Sequence, residues 1–511
     1  MAAPLRYPLI LLAWGIMALI YLPVFPAIAL MLAPAFRLAC WQALFADPQI
    51  WQALAATLIS TLLAVGGALL ISLTLVAALW PSRGWRQLAG RLPLLLAVPH
   101  VAFATGALLL FAEGGWLYRV CSVCSPPADR YGIGLGLTMA IKESGFLLWA
   151  IYGLLSEKRL AEQATVLKSQ GYGRWQCLNW LILPTLLPSL AIVLVATTAW
   201  SLSTVDVALV IGPGNPPTLA VLAWQWLNQG DDMQQAKGAL ASLLLLLILG
   251  GVLVCAWGGW RLWQRQIPDL RGIRRPQPRA LAGRLLAIGL PLSGLLCALL
   301  LAALAQSASP LNDSLANSLG LALLASLAGA LVCLLWLECG PSRGDSWVWL
   351  PLVLPALPLA DGQYQLALYT WQDGQFATVL WGHLLWVVPW MLFVLRPAWR
   401  HRDPRLELVA RTLGWGRWQR VWRVKLPMLV RPLLMALAVG FSVSIAQYLP
   451  TLWLGAGRTP TLTSEAVALS SGGDTQTLAA QALWQLLLPA MVFSLTALLA
   501  WLAGRYRQGL R

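Results

Sequence analysis

Charged and nucleophilic side chains are scarce in this 511-residue chain, so each can be weighed singly. Lys142 and Glu143 stand side by side within GLGLTMAIKESGFLLWAIYG, a stretch otherwise almost free of polar groups. Charges in the middle of an apolar segment are costly and usually face a cavity or a partner. The pair is therefore a candidate for a solute path or gate, or else an internal ion pair. Asp206 and Asp361 close other apolar runs and are candidates for an outer mouth, or for helix-end residues touching water. The three histidines (His100, His383, His401) and eight cysteines are too dispersed for a metal centre. Cys121 and Cys124 have a spacing open to a disulfide in an oxidising compartment, but two thiols do not fill a tetrahedral metal shell. No Gly-x-x-x-x-Gly-Lys-Ser/Thr is present, so the phosphate cradle of a P-loop ATPase is missing. No catalytic residues, cofactor or metal are expected, and the chain is not read as an enzyme.

The most specific signal is a repeated turn. GYGRWQ occupies residues 171–176 and GWGRWQ occupies 414–419, and Pro184 and Pro427 each follow the first glycine by 13 residues. Good helix formers precede each copy, in EKRLAEQATVLKSQ and in LELVARTL. Gly171 with Gly173, and Gly414 with Gly416, then break the helix, because glycine accepts the left-handed backbone found just past helix ends. Arg174-Trp175-Gln176 and Arg417-Trp418-Gln419 restart it toward the Leu-Pro step. A pair of interfacial anchor helices, with Trp175, Trp180, Trp418 and Trp422 at headgroup level, would explain arginine and tryptophan. It would not explain an identical glycine-to-proline spacing, which favours a pair of docking elements.

The elements that carry these turns follow from composition. Hydrophobic residues make up 59% of the chain and charged ones 11%, against about a quarter charged in soluble domains. Roughly a dozen apolar runs approach the ~20 residues needed to cross a bilayer. They centre near 8–34, 55–80, 92–112, 133–155, 181–206, 239–260, 283–305, 315–337, 348–370, 377–395, 427–450 and 480–504. The first is too long for a signal-peptide core. With a cytoplasmic N-terminus and one crossing per run, 29 of the 35 Lys and Arg residues fall inside, the bias that sets membrane orientation. The net charge of +16 is thus topological and implies no nucleic acid. The expected fold is an all-α polytopic membrane protein with both termini cytoplasmic.

The basic, proline-containing stretch RLWQRQIPDLRGIRRPQPRALAGR (261–284) leaves six runs on each side. Six is even, so the halves are parallel rather than inverted repeats. The expected division is 1–265, a linker at 266–282, and 283–511. Smaller echoes keep the same order. Pro81-Ser82-Arg83-Gly84 is matched by Pro341-Ser342-Arg343-Gly344, and Leu54-Ala-Ala-Thr57 by Leu315-Ala-Asn-Ser318.

The two loops resemble the cytoplasmic loop of permease subunits of binding-protein-dependent ABC importers. In that family Glu-Ala-Ala, three residues, Gly and nine residues lead into Ile-x-Leu-Pro. Leu181-Ile182-Leu183-Pro184 and Val424-Lys425-Leu426-Pro427 fill the last position, and Ala410 fills the second alanine where the first half has Leu167. Glu407 lies one place before the family's glutamate, and Glu162 lies nine residues before Gly171. The chain looks most similar to fused, double-length permeases such as those of thiamine and iron(III) importers. The resemblance implies an inner-membrane subunit whose coupling helices sit in clefts of a separate ATPase, in two copies, with an external solute-binding protein. It also implies that Arg174 and Arg417 bond acidic groups on that ATPase. The rival reading is a twelve-span secondary transporter.

Overall fold

The computed structural model describes residues 6–112, 115–121, 129–157, 160–265, 281–305, 312–341, 344–472 and 474–508. Among these residues every regular element is helical. Nine helical segments of the described residues are long and apolar enough to cross a membrane, among them Ile50–Leu79, Arg174–Ser203, Asp313–Cys339 and Arg417–Ile445. The helix Ile133–Glu157, which holds Lys142 and Glu143, adds 25 residues. Most of the 266–282 linker, Ser342, Arg343 and Cys124 lie outside the described residues, while Cys121 is disulfide-bonded.

Two of the expected spans are broken by a proline in extended backbone. The run 92–112 divides into Arg83–Ala97 and His100–Phe111, and the run 348–370 into Leu350–Val353 and Ala356–Tyr369. Each break is a proline at the N-cap, Pro99 and Pro355, in extended backbone. Proline has no N–H to donate and pushes the residue before it out of helical geometry, and Leu354 accordingly has ψ 145°. Non-helical backbone at membrane depth survives only where it lines a cavity or is covered by protein. Val98, Pro99 and Leu354 all line a cavity.

The first helix of each half packs on the other half. The indole of Trp14 meets Trp336 and Trp347 at centroid separations of 5.0 and 6.1 Å. Tyr21 donates its hydroxyl to the Val348 carbonyl at 2.8 Å, and Trp381 donates to the Leu19 carbonyl at 3.1 Å. In exchange, Leu281–Leu304 lies against Ile50–Leu79 and His100–Phe111. A Cβ on Gly283 would fall 2.1 Å from that of Ala78, and one on Gly106 would fall 2.4 Å from Cys297 Sγ. Only bare glycine backbones let these helices approach so closely.

A second pair of echoes has one physical meaning. Thr57 accepts a hydrogen bond from the backbone N–H of Leu219, and Ser318 accepts one from Leu462, both at 2.8 Å. The donors begin the short helices Leu219–Leu227 and Leu462–Ser470. A helix start leaves its first N–H groups unpaired, and in each half a hydroxyl from a long helix satisfies one.

Candidate functional site

The two hinges have the same geometry. Helices Leu160–Ser169 and Pro404–Thr412 end on Gly171 at φ +90° and Gly414 at φ +78°. Gly173 and Gly416 then start new helices, and the side chains of Gln176 and Gln419 accept from their N–H groups at 2.9 and 3.0 Å. The glutamine that ends each motif is therefore a cap. Downstream, Leu178–Ile182 and Val421–Lys425 are single π turns. Pro184 and Pro427 explain them: each ring would clash with the carbonyl four residues back, at Trp180 or Arg423, and a wider turn relieves the clash. The 13-residue spacing thus fixes one local form: left-handed glycine, capped helix, π turn, proline.

The arginines of the motif turn inward. Arg174 Nη1 donates to the Ala78 carbonyl at 3.3 Å, at the end of Ile50–Leu79. Arg417 Nη2 donates to the Glu338 carbonyl at 2.9 Å, at the end of Asn312–Cys339, and its Nε reaches Glu338 Oε1 at 2.9 Å. A cation at a helix C-terminus meets unpaired carbonyls and the negative end of the dipole. These guanidinium contacts lie within the chain. What faces outward instead is Trp175 and Glu162 in the first loop, and Trp418, Leu406, Val409 and Leu413 in the second, while Ala410 is buried.

Around the second hinge a charge network extends the grip. Lys425 reaches Glu338 Oε2 at 2.6 Å and Glu407 Oε1 at 3.2 Å, and Arg402 and Arg420 also approach Glu407. Burial works to raise the Glu407 carboxyl. Lys425, Arg402 and Arg420 outweigh it and hold the group below the usual glutamate range.

Far from the hinges, the halves enclose a cavity of about 200 Å³. Lys142 and Glu143 border it, and His100 Nε2 lies 2.7 Å from Glu143 Oε1. His100 is the residue the sequence did not single out; its signal is its place directly after Pro99, at the start of the second half-helix. The other wall carries Ser442 and Gln447, and aromatic rings from both halves complete the lining. A smaller extension runs past Trp200 and Gln447 to Asp206, whose Oδ1 accepts from Thr204 at 3.0 Å. Asp361 lies apart from both, within reach of Gln365 at 3.4 Å. His383 is buried between Ser444 Oγ at 2.8 Å and Thr451 Oγ1 at 2.9 Å. Among the described residues no three His, Cys, Asp or Glu side chains gather as a metal site would require.

A family model described as "Binding-protein-dependent transport system inner membrane component" matches residues 345–508. The chain is 59% identical over 511 residues, all of both chains, to the inner membrane ABC transporter permease protein YnjC of Escherichia coli (strain K12). It is 27% identical over 454 residues, 80% of this chain and 81% of the relative, to the thiamine transport system permease protein ThiP of the same organism. No solved structure matches. Full-length identity at this level sets aside the secondary transporter, and the family is one of transport subunits, not enzymes. The polytopic helical bundle, the two hinged loops and these matches agree: the chain belongs to the inner-membrane permease subunits of binding-protein-dependent ABC transport systems.

Proposed function

We propose that this chain forms the translocation path of an ATP-driven importer in the cell inner membrane, from two related six-span domains with both termini cytoplasmic. The loops 160–182 and 404–425 dock a separate ATPase, one copy on each. The observation that carries this reading is the duplicated hinge, in which four local features recur at the same spacing 243 residues apart. Two identical levers on one chain suit a partner that acts as a symmetric pair.

In this reading Trp175, Trp418 and the exposed faces of the preceding helices enter the ATPase. Glu162, Glu407 and Ala410 shape those helices. Arg174 and Arg417 pass the motion inward, through the ends of Ile50–Leu79 and Asn312–Cys339. Gly171, Gly173, Gly414 and Gly416 set the hinge angle, with Pro184 and Pro427 beyond the π turns. Lys142 and Glu143 line the solute path. An external solute-binding protein meets the opposite face, where Leu219–Leu227 and Leu462–Ser470 lie.

Mild solubilisation and affinity purification test the docking. The wild-type chain should bring a P-loop ATPase at two copies per chain. Gly171→Pro with Gly414→Pro should lose it, and so should the surface pair Trp175→Ala with Trp418→Ala, which leaves both hinges intact. A chain that elutes alone, or an ATPase retained by both variants, overturns the reading.

A further inference from the structure

The cavity has a composition that narrows its cargo. Its phenylalanine and tryptophan rings, among them Phe146, Trp149, Trp200, Trp386, Trp390 and Phe393, come from both halves. Phe146 meets Trp390 edge-on at 5.2 Å, and Trp149 meets Phe393 at 6.1 Å, so helices Ile133–Glu157 and Phe376–Arg400 join through aromatic faces. A sugar or polyol needs many hydrogen-bonding groups to replace its water, and this lining offers few. A bare metal ion needs clustered ligands, which the described residues do not bring together. Aromatic walls around a volume of about 200 Å³ suit a small solute with a flat ring.

Charge along the path adds the second constraint. Glu143 borders the cavity and Asp206 borders its extension, against a single ammonium at Lys142. The Glu143 carboxylate is steadied by His100, whose ring lies 5.3 Å from that of Trp200. Indole faces attract cations, more strongly once water is excluded. An anionic solute would meet the Glu143 carboxylate and the negative faces of the aromatic rings.

We propose that this cavity binds a small, ring-bearing organic cation, its charge held by Glu143 and its ring stacked against the tryptophans of the two halves. This rests on the reading of the cavity as the solute path. Glu143 and Trp390 then determine specificity, and His100 is a positioning residue that keeps one carboxylate oxygen fixed.

The test uses the purified full-length chain in lipid nanodiscs and radiolabelled benzyltrimethylammonium as the probe. Saturable binding is expected, displaced by N-methylpyridinium but not by benzoate, L-phenylalanine or sorbitol. Glu143→Gln and, separately, Trp390→Leu should each weaken it at least tenfold. Displacement by benzoate or L-phenylalanine at the same concentration as N-methylpyridinium overturns the proposal, as does probe binding unchanged in Glu143→Gln, or no saturable binding. ATPase retention measured on the same preparations reports docking separately, so failure of the cavity reading and failure of the docking reading are distinguishable.

Discussion

Glu338 ties the second hinge to the end of a long helix: its Oε1 lies 2.9 Å from Arg417 Nε and its Oε2 lies 2.6 Å from Lys425 Nζ. Among the described residues the first hinge has no such carboxylate; Arg174 Nη1 and Lys168 Nζ reach the Ala78 and Trp80 carbonyls instead, both at 3.3 Å. At the positions 243 residues earlier, Ile182 stands for Lys425 and Ala164 for Glu407, and both are buried in an apolar cluster with Leu160 and Leu178. The second lever is held by a carboxylate network, the first by bonds to helix-end carbonyls and by packing.

Glu338→Gln is expected to destabilise the chain by about 2 kcal/mol, the worth of hydrogen bonds to charged partners. The exchange Glu338→Arg with Arg417→Glu should recover part of that loss. Thermal unfolding of the purified chain checks both, and an unchanged transition in Glu338→Gln would remove the tie from the account of the hinge.

The glycines of the second hinge should respond unequally to alanine. Gly414 sits at φ +78° in open space, so Gly414→Ala costs only backbone strain, about 1–2 kcal/mol. Gly416 lies at φ −64° with only Gln419 Oε1 nearby, at 4.0 Å, and Gly416→Ala should be close to neutral. Equal losses in the two variants would contradict this division of roles.

Acid should loosen the second loop through Glu407. Its carboxyl is held below the ordinary value of 4.5, so its contribution is full above that value and is lost as pH falls through the lower folded value. The difference in unfolding temperature between wild type and Glu407→Gln should be present at pH 6 and shrink steadily as the pH is taken below 4.5. A difference that persists in acid would show that the carboxylate's charge is not what matters.

The buried hydroxyls Ser444 and Ser201 occupy matching positions but should not matter equally. Ser444 is bonded by His383, while Ala140 stands where the first half would need that histidine, and Ser201 Oγ has no hydrogen-bond partner among the described residues. Ser444→Ala strands one ring nitrogen and should cost about 1–3 kcal/mol. Ser201→Ala should be neutral or mildly stabilising. Chemical denaturation of the two variants side by side decides it.

Much of this molecule was legible in one dimension because its signals are local. Apolar runs declare the membrane, since no soluble surface could cover them. The glycines at 171 and 414 and the prolines at 184 and 427 declare the hinges, since backbone conformation there depends on the residue itself. Roughly a dozen apolar runs were expected, and Pro99 and Pro355 break two of them with extended backbone. That signal lay in the string, but its meaning depends on a cavity that only the packed halves create.

Partnership was not legible, because a side chain's partner is chosen by whatever element folds against it. Arg174 and Arg417 reach carbonyls about 80 to 100 residues away in sequence, contacts that the spacing of the motif does not announce. Lys142 and Glu143 announced a polar site, while His100 and the aromatic rings joined it only through tertiary packing. The exchange of first helices between halves leaves no mark in hydropathy, since an apolar face packs equally well on either neighbour. By itself the sequence determined the segments, their breaks and the duplicated hinge, which obey local backbone rules. The tertiary structure decided which charges meet, which rings share a cavity and which half each helix supports, because those outcomes depend on long-range contacts that no local pattern encodes.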